Sequence, residues 1–133
     1  MLCDFAEAIG GKLYIQGGGW SRIAVPPGNP VSVHVAAMIY VPWDDANRRR
    51  RILLKLVSED GHEIELGDPP AAVEMRGDFE VGRPPGLAPG TDLEFPLAAR
   101  FEGLPLDAGR YKFMLTVGVT PIGEARFELV AAG

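Results

Sequence analysis

The sequence predicts an all-β chain, two antiparallel sheets packed face to face as a sandwich of about nine short strands. Three observations carry this. Apolar residues recur at every second position in several short runs, most clearly Val31, Val33, Val35, Ala37, Ile39 and Val41. The 17 glycines and 12 prolines fall between those runs rather than in one tail. No window of helical length sustains a period of 3.6.

The elements follow in chain order. Leu2 to Glu7 reads as a first strand, and Lys12 to Val25 as a second, interrupted by Gly17-Gly18-Gly19 and ended by Pro26-Pro27-Gly28. The glycine run predicts a bulge or a place where backbone is closely approached, with Trp20 filling the space beside it. A phosphate cradle would need a helix after the glycines, and none is predicted there. Val31 to Val41 is the third strand. Pro42-Trp43-Asp44-Asp45-Ala46-Asn47 carries turn formers, with Asp45 or Asn47 placed to cap a single helical turn.

Ile52 to Val57 and Glu63 to Leu66 are expected to form a hairpin around Asp60-Gly61, a pair that readily takes left-handed angles. Between Gly67 and Pro96 the prolines leave room for one strand, Val73 to Val81. Proline donates no ladder bond, so that strand is expected at a sheet edge. Leu93 to Phe101, Arg110 to Val119 and Glu124 to Val130 complete the set.

The segment Leu106-Asp107-Ala108-Gly109-Arg110-Tyr111 enters one of these strands. A tyrosine just after such a corner sends its hydroxyl back to upstream backbone in immunoglobulin-like sandwiches. The fold class predicted is therefore an immunoglobulin-like antiparallel β-sandwich, with residues 1–133 as a single domain. Area scaling for a chain of this size gives a folded surface of roughly 7,000 Å².

Composition narrows the function. A net charge of −5 opposes general attraction to nucleic acid or anionic lipid, so neither nucleic acid nor a membrane is expected as a partner. With one cysteine, Cys3, no internal disulfide forms. The N-terminal segment lacks the pattern of a secretory leader, and cytoplasmic residence is the expectation. Arg48-Arg49-Arg50-Arg51 reads as a solvated strand entrance: extended backbone splits it into two pairs, and Asp44 and Asp45 offset part of the charge.

Catalytic and metal patterns give little. Asp4, Glu7, Asp44, Asp45, Asp60 and Asp78 lack the tight alternating spacing of a calcium loop. His34, His62 and Cys3 are too scattered for zinc, and Ser21, Ser32 and Ser58 lack a glycine-flanked elbow. No catalytic residue, cofactor or metal site is assigned.

The segments Leu2-Cys3-Asp4-Phe5-Ala6-Glu7, Lys12 to Trp20, Val41-Pro42-Trp43-Asp44, Ala46-Asn47-Arg48, Gly82-Arg83-Pro84-Pro85-Gly86 and Gly109-Arg110-Tyr111 together resemble a family of uncharacterised bacterial proteins filed as a domain of unknown function. The resemblance covers nearly the whole chain and implies the sandwich but no activity. The expected role is a non-catalytic binding or assembly module acting through a sheet face, an edge strand or loops, with a protein partner or a second copy in a homodimer. Trp20, Trp43, Asp44, Asp45, Arg48 and Arg83 are the candidate binding residues. The alternative is a small-ligand or metal-binding enzyme with its site in the loops around 43–51 and 82–90.

Overall fold

A computed structural model describes residues 1–132. The described residues form an all-β sandwich. Strand β5 (Val31–Val41) lies between β1 (Leu2–Cys3) and β10 (Leu93–Leu104) in a three-stranded antiparallel sheet. Against it packs a five-stranded sheet in the order β4 (Arg22–Val25), β12 (Thr120–Ala131), β11 (Gly109–Val117), β6 (Arg50–Ser58) and β9 (Glu74–Phe79). All its pairings are antiparallel except β4 with β12.

The alternation in β5 sets its two faces as its sequence requires. Val31, Val33, Val35, Ile39 and Val41 are buried in the core between the sheets. Ile52, Leu54 and Leu56 of β6, Phe113 and Leu115 of β11, and Phe127 and Leu129 of β12 meet them from the other side. An aromatic row crosses this core, with ring centres 4.9 Å apart for Phe101 and Phe113, and 5.7 Å for Phe113 and Phe127.

A hairpin of β2 (Phe5–Ile9) and β3 (Lys12–Gln16) forms a third layer over the outer face of the smaller sheet. Its footprint is built from small residues: Cys3, Ala6 and Ala36 are buried there, with Leu13 and Ala98 packed around them. Small side chains let the layers approach closely enough for the Ala6 amide to donate to His34 Nδ1 at 3.2 Å. Burial also pushes the Cys3 thiol up from its ordinary range.

Several local expectations change. Among the described residues twelve strands are present rather than about nine: Leu2 to Glu7 divides between β1 and β2, Lys12 to Val25 divides into β3 and β4, and β8 (Ala71–Ala72) is added opposite β7 (Glu65–Leu66). The turn at Asp60-Gly61 forms, with the Gly61 amide donating to the Ser58 carbonyl at 2.9 Å and the Ser58 amide to that of His62 at 2.8 Å. The returning strand does not stay on β6. It bridges at Glu63, then pairs as β7 with β8, since proline at 69 and 70 turns the chain back at once. Neither Asp45 nor Asn47 caps the helical turn: Pro42 occupies the N-cap of a 3₁₀ turn at Trp43–Asp45 with no side-chain cap bond, and Asn47 takes φ 60° just after it.

The edge strand expected between Val73 and Val81 is β9, at the rim of the larger sheet. Pro96 lies inside β10, a rim strand of the smaller sheet, as a residue without an N–H must. Accessible surface totals 8189 Å², more than the roughly 7,000 Å² expected from size.

The Tyr111 hydroxyl donates to the Asp107 carbonyl at 2.7 Å, and its ring stacks on Phe127 with centres 5.5 Å apart. Burial, with Asp107 adding to it, raises the hydroxyl's pKa. Tyr111→Phe is therefore expected to cost about 0.5–1.5 kcal/mol, the worth of one hydrogen bond, in chemical denaturation. A raised phenol favours folding while neutral, so this contribution is present below the ordinary tyrosine pKa of about 10 and lost as pH rises through the folded value. The gap between wild type and Tyr111→Phe should accordingly shrink in alkali; a gap constant from pH about 8 to about 11 would contradict that assignment.

Candidate functional site

Two features stand out at the end of the sandwich where β5 hands over to β6. The first is a clasp of loops. Arg83 donates from Nη2 at 2.8 Å and Nε at 3.2 Å to the Trp43 carbonyl, and its guanidinium lies 4.5 Å over the Trp43 ring. The Asn47 amide donates to the Val81 carbonyl at 2.7 Å. Asp45 Oδ1 sits 2.9 Å from Arg50 Nη2 and 3.5 Å from Arg48 Nη1. The loops around 43–51 and 82–90 are thus tied together, and Trp43, Asp45, Arg48 and Arg83 share one region.

Asp44 is exposed on the same 3₁₀ turn. Trp20 is elsewhere: its ring packs edge-on against Phe127, centres 6.1 Å apart, toward the opposite end of the strands. Its Nε1 is buried without a hydrogen-bond partner, as is Nε of Arg50. The arginine run divides where β6 begins: Arg50 is half-buried against Asp45, whereas Arg48, Arg49 and Arg51 are exposed. Among the described residues no three His, Cys, Asp or Glu side chains gather in a way that would hold a metal ion.

The second feature is a cleft of about 590 Å³ along one flank, between β5 and the first half of β12. Two partial strand pairings frame it. β1 pairs β5 only at Val35 and His34, with the Met1 nitrogen and carbonyl bonding Ala36 just beyond. β4 pairs β12 only from Glu128 onward. The rest of both strands faces an open side. Leu97, Leu54, Phe113 and Leu115 form the cleft's floor, and Ala37, Ile39, Ile122 and Ala125 its walls. Arg50 and Asp45 line one end, joining the cleft to the clasp, and Met1 lines the other.

Charge is confined to the rim. Glu124 accepts from Arg126 at 3.0 Å, and this bond, with Lys112 beyond, holds its carboxyl below the ordinary range. Tyr40 is 61% exposed and Ile122 46%, so the mouth is partly apolar as well.

The backbone of the open wall is polar and unengaged. In an antiparallel pair the residues that exchange bonds with one neighbour alternate with those facing the other side. Ala36 bonds Met1 through both its N–H and C=O, so Met38 and Tyr40 turn the same groups toward the cleft's side. Sequence reasoning picked out the loop residues but missed this flank. The alternation in Val31 to Val41 shows which residues face inward, but not which stretch of the strand is paired on this side.

A family model matches residues 1–130. The chain belongs to that family, DUF6941, a family of unknown function. Every DUF6941 segment quoted from the sequence lies inside the matched span, and so do the clasp and the cleft. No curated protein and no solved structure matches the chain. Among the described residues no helix is long and apolar enough to cross a membrane.

Proposed function

We propose that this member of DUF6941 is a non-catalytic binding module that takes an extended apolar segment of a partner protein into the open flank of its sandwich. One observation carries the reading: a cleft of about 590 Å³ whose floor is core side chains and whose wall is an unpaired strand edge. Apolar pockets of a few hundred cubic ångströms are ordinary ligand sites. The open edge selects an extended peptide over a compact ligand, since an added strand gains main-chain bonds at Met38 and Tyr40 while alternate side chains enter the cleft. Arg50 and Asp45, paired with each other, close one end of the cleft.

The same reading takes the sandwich as immunoglobulin-like. β6, β11 and β12 share one sheet and β5 and β10 the other, in the manner of strands C, F, G and B, E, and the Tyr111 hydroxyl bond matches the tyrosine corner. An enzyme built on the loops around 43–51 and 82–90 has weaker support. Asp45 is paired with Arg48 and Arg50, and Arg83 is spent on the Trp43 carbonyl.

Selection of displayed random peptides on the immobilised full chain is expected to enrich sequences with apolar residues at alternate positions. Met38→Pro tests the mode, because it removes an N–H that faces the open side and no bond to β10. It should keep the fold and weaken the selected peptides at least about tenfold, the worth of roughly one or two main-chain bonds. Ala37→Trp, which fills the cleft, should do the same. Peptides that bind both variants as well as wild type would sink the reading.

A further inference from the structure

The geometry assigns β9 as a self-association edge: we propose that two copies of the chain pair β9 with β9 about a two-fold axis through Gly77, joining two five-stranded sheets into one. The bonding pattern shows the edge is available. On β6 the Leu56 amide bonds the Val73 carbonyl, whereas the Arg51 carbonyl accepts from Gly118. Even-numbered residues of β6 thus face β9 and odd-numbered ones face β11. Gly77 and Met75, opposite Ile52 and Leu54, use their backbone groups on β6. Arg76 and Asp78 therefore turn theirs outward, away from the sheet.

Natural edges are protected by proline, bulges, short length or charged side chains, lysine above all. This edge carries its charges at Glu74, Arg76 and Asp78, so a partner strand must match them. Glu74–Phe79 contains neither proline nor lysine, and its register with β6 runs without a shift. Arg76, Gly77 and Asp78 are all exposed. A Cβ added at Gly77 would meet only the Ile52 side chain, at 3.7 Å.

Charge complementarity selects a second copy as the occupant. Antiparallel pairing about Gly77 sets Arg76 opposite Asp78 of the other chain, and Asp78 opposite its Arg76. Opposite charges directly across a strand pair are favourable and like charges unfavourable. Arg51 already stands opposite Asp78 on β6, so the outer face would carry a row alternating in sign across the junction. Arg76 also bonds Glu74 of its own chain, Nε to Oε2 at 3.0 Å and Nη2 to Oε1 at 3.2 Å; a guanidinium has further donors for a second carboxylate. At the axis the two glycines form the closely spaced kind of pair, which a residue without a side chain accommodates.

Light scattering on the full chain is expected to give twice the 14.3 kDa chain mass. Arg76→Asp alone sets carboxylates against each other, Asp78→Arg alone sets guanidinium groups against each other, and each should weaken the dimer at least about tenfold. An equal mixture of the two variants restores both opposite-charge pairs and should return to the dimer mass, which also shows that both variants fold. Gly77→Cys should form a disulfide between chains under mild oxidation, because that pair's Cα separation of about 4.5 Å suits the bond. Ala37→Trp, in the cleft, should leave the mass unchanged, which separates this interface from the proposed peptide site. A monomeric wild type at high concentration, or a dimer that survives either single charge reversal, would overturn the assignment.

Discussion

Phe113→Ala should lower stability by about 3–5 kcal/mol, read as a fall in denaturation midpoint at unchanged slope. Phe113 is 1% exposed and lies on β11, held between β6 and β12 with Leu56 and Ala125 as its opposite numbers. A strand fixed on both sides cannot move in to fill the space a lost ring leaves, which places the site toward the costly end of such truncations. The ring also joins the two sheets through Phe101 at 4.9 Å and lies 5.7 Å from Phe127 on its own sheet. Domains of this kind are stable by about 5–15 kcal/mol, so the variant removes about a fifth of that or more. Phe113→Leu keeps most of the volume and should cost under about 1.5 kcal/mol. A Phe113→Ala loss below about 1 kcal/mol would mean that the two sheets are not packed through this ring.

What the sequence made legible was which way side chains face. Val31 to Val41 was delimited to the residue because a strand buried on one side must alternate. Tyr111 was identified because its partner, Asp107, is only four residues upstream, within reach of local pattern. The edge position of β9 followed from the prolines around it. Neighbour relations between strands were not legible. Glu63 to Leu66 looks like the return of a hairpin, yet β7 pairs with β8, a contact decided by the turn at Pro69-Pro70. Ala36 sits on the face of β5 that alternation assigns to solvent, and is buried because the β2–β3 hairpin folds over it.

The candidate site divides on the same line. Trp43, Asp45, Arg48 and Arg83 were named for their chemistry, and tertiary structure brings them together in the clasp. Trp20 was named for the same reason and packs on Phe127 instead. An aromatic side chain announces that it will be buried against something, not whether the partner is its own core. The cleft needs the partial pairing of β1 with β5 and of β4 with β12, and nothing local in Leu2-Cys3-Asp4 gives that. The outward bonding of Arg76 and Asp78 needs the register of β6 on both sides.

Gly17→Ala is expected to cost about 2–4 kcal/mol, of which about 1–2 comes from the left-handed backbone and the rest from collision. Gly17 has φ +60°, and a Cβ there would lie 3.1 Å from the Asp4 Cβ and inside the reach of its carboxylate. The carboxylate can swing away; the Asp4 Cβ cannot, because the Asp4 amide is held by the carbonyls of Gln16 at 3.1 Å and Gly17 at 3.3 Å, with the Gly19 amide on the Leu2 carbonyl at 2.8 Å. Gly10 supplies the control. It has φ +58° at the hairpin tip with nothing within 4 Å, so Gly10→Ala should cost only the backbone part, about 1–2 kcal/mol. In an Asp4→Gly background, which removes that Cβ, the excess at Gly17 should fall, a coupling that a double-mutant cycle reads directly. The strain is local to the hairpin and β1, which together cover Cys3, and Cys3 is fully buried. Its thiol should therefore react with a thiol reagent at least about tenfold faster in Gly17→Ala than in wild type, before global unfolding sets in. Equal costs at Gly17 and Gly10, with no change at Cys3, would show that the glycine run does not fasten the hairpin to the sandwich.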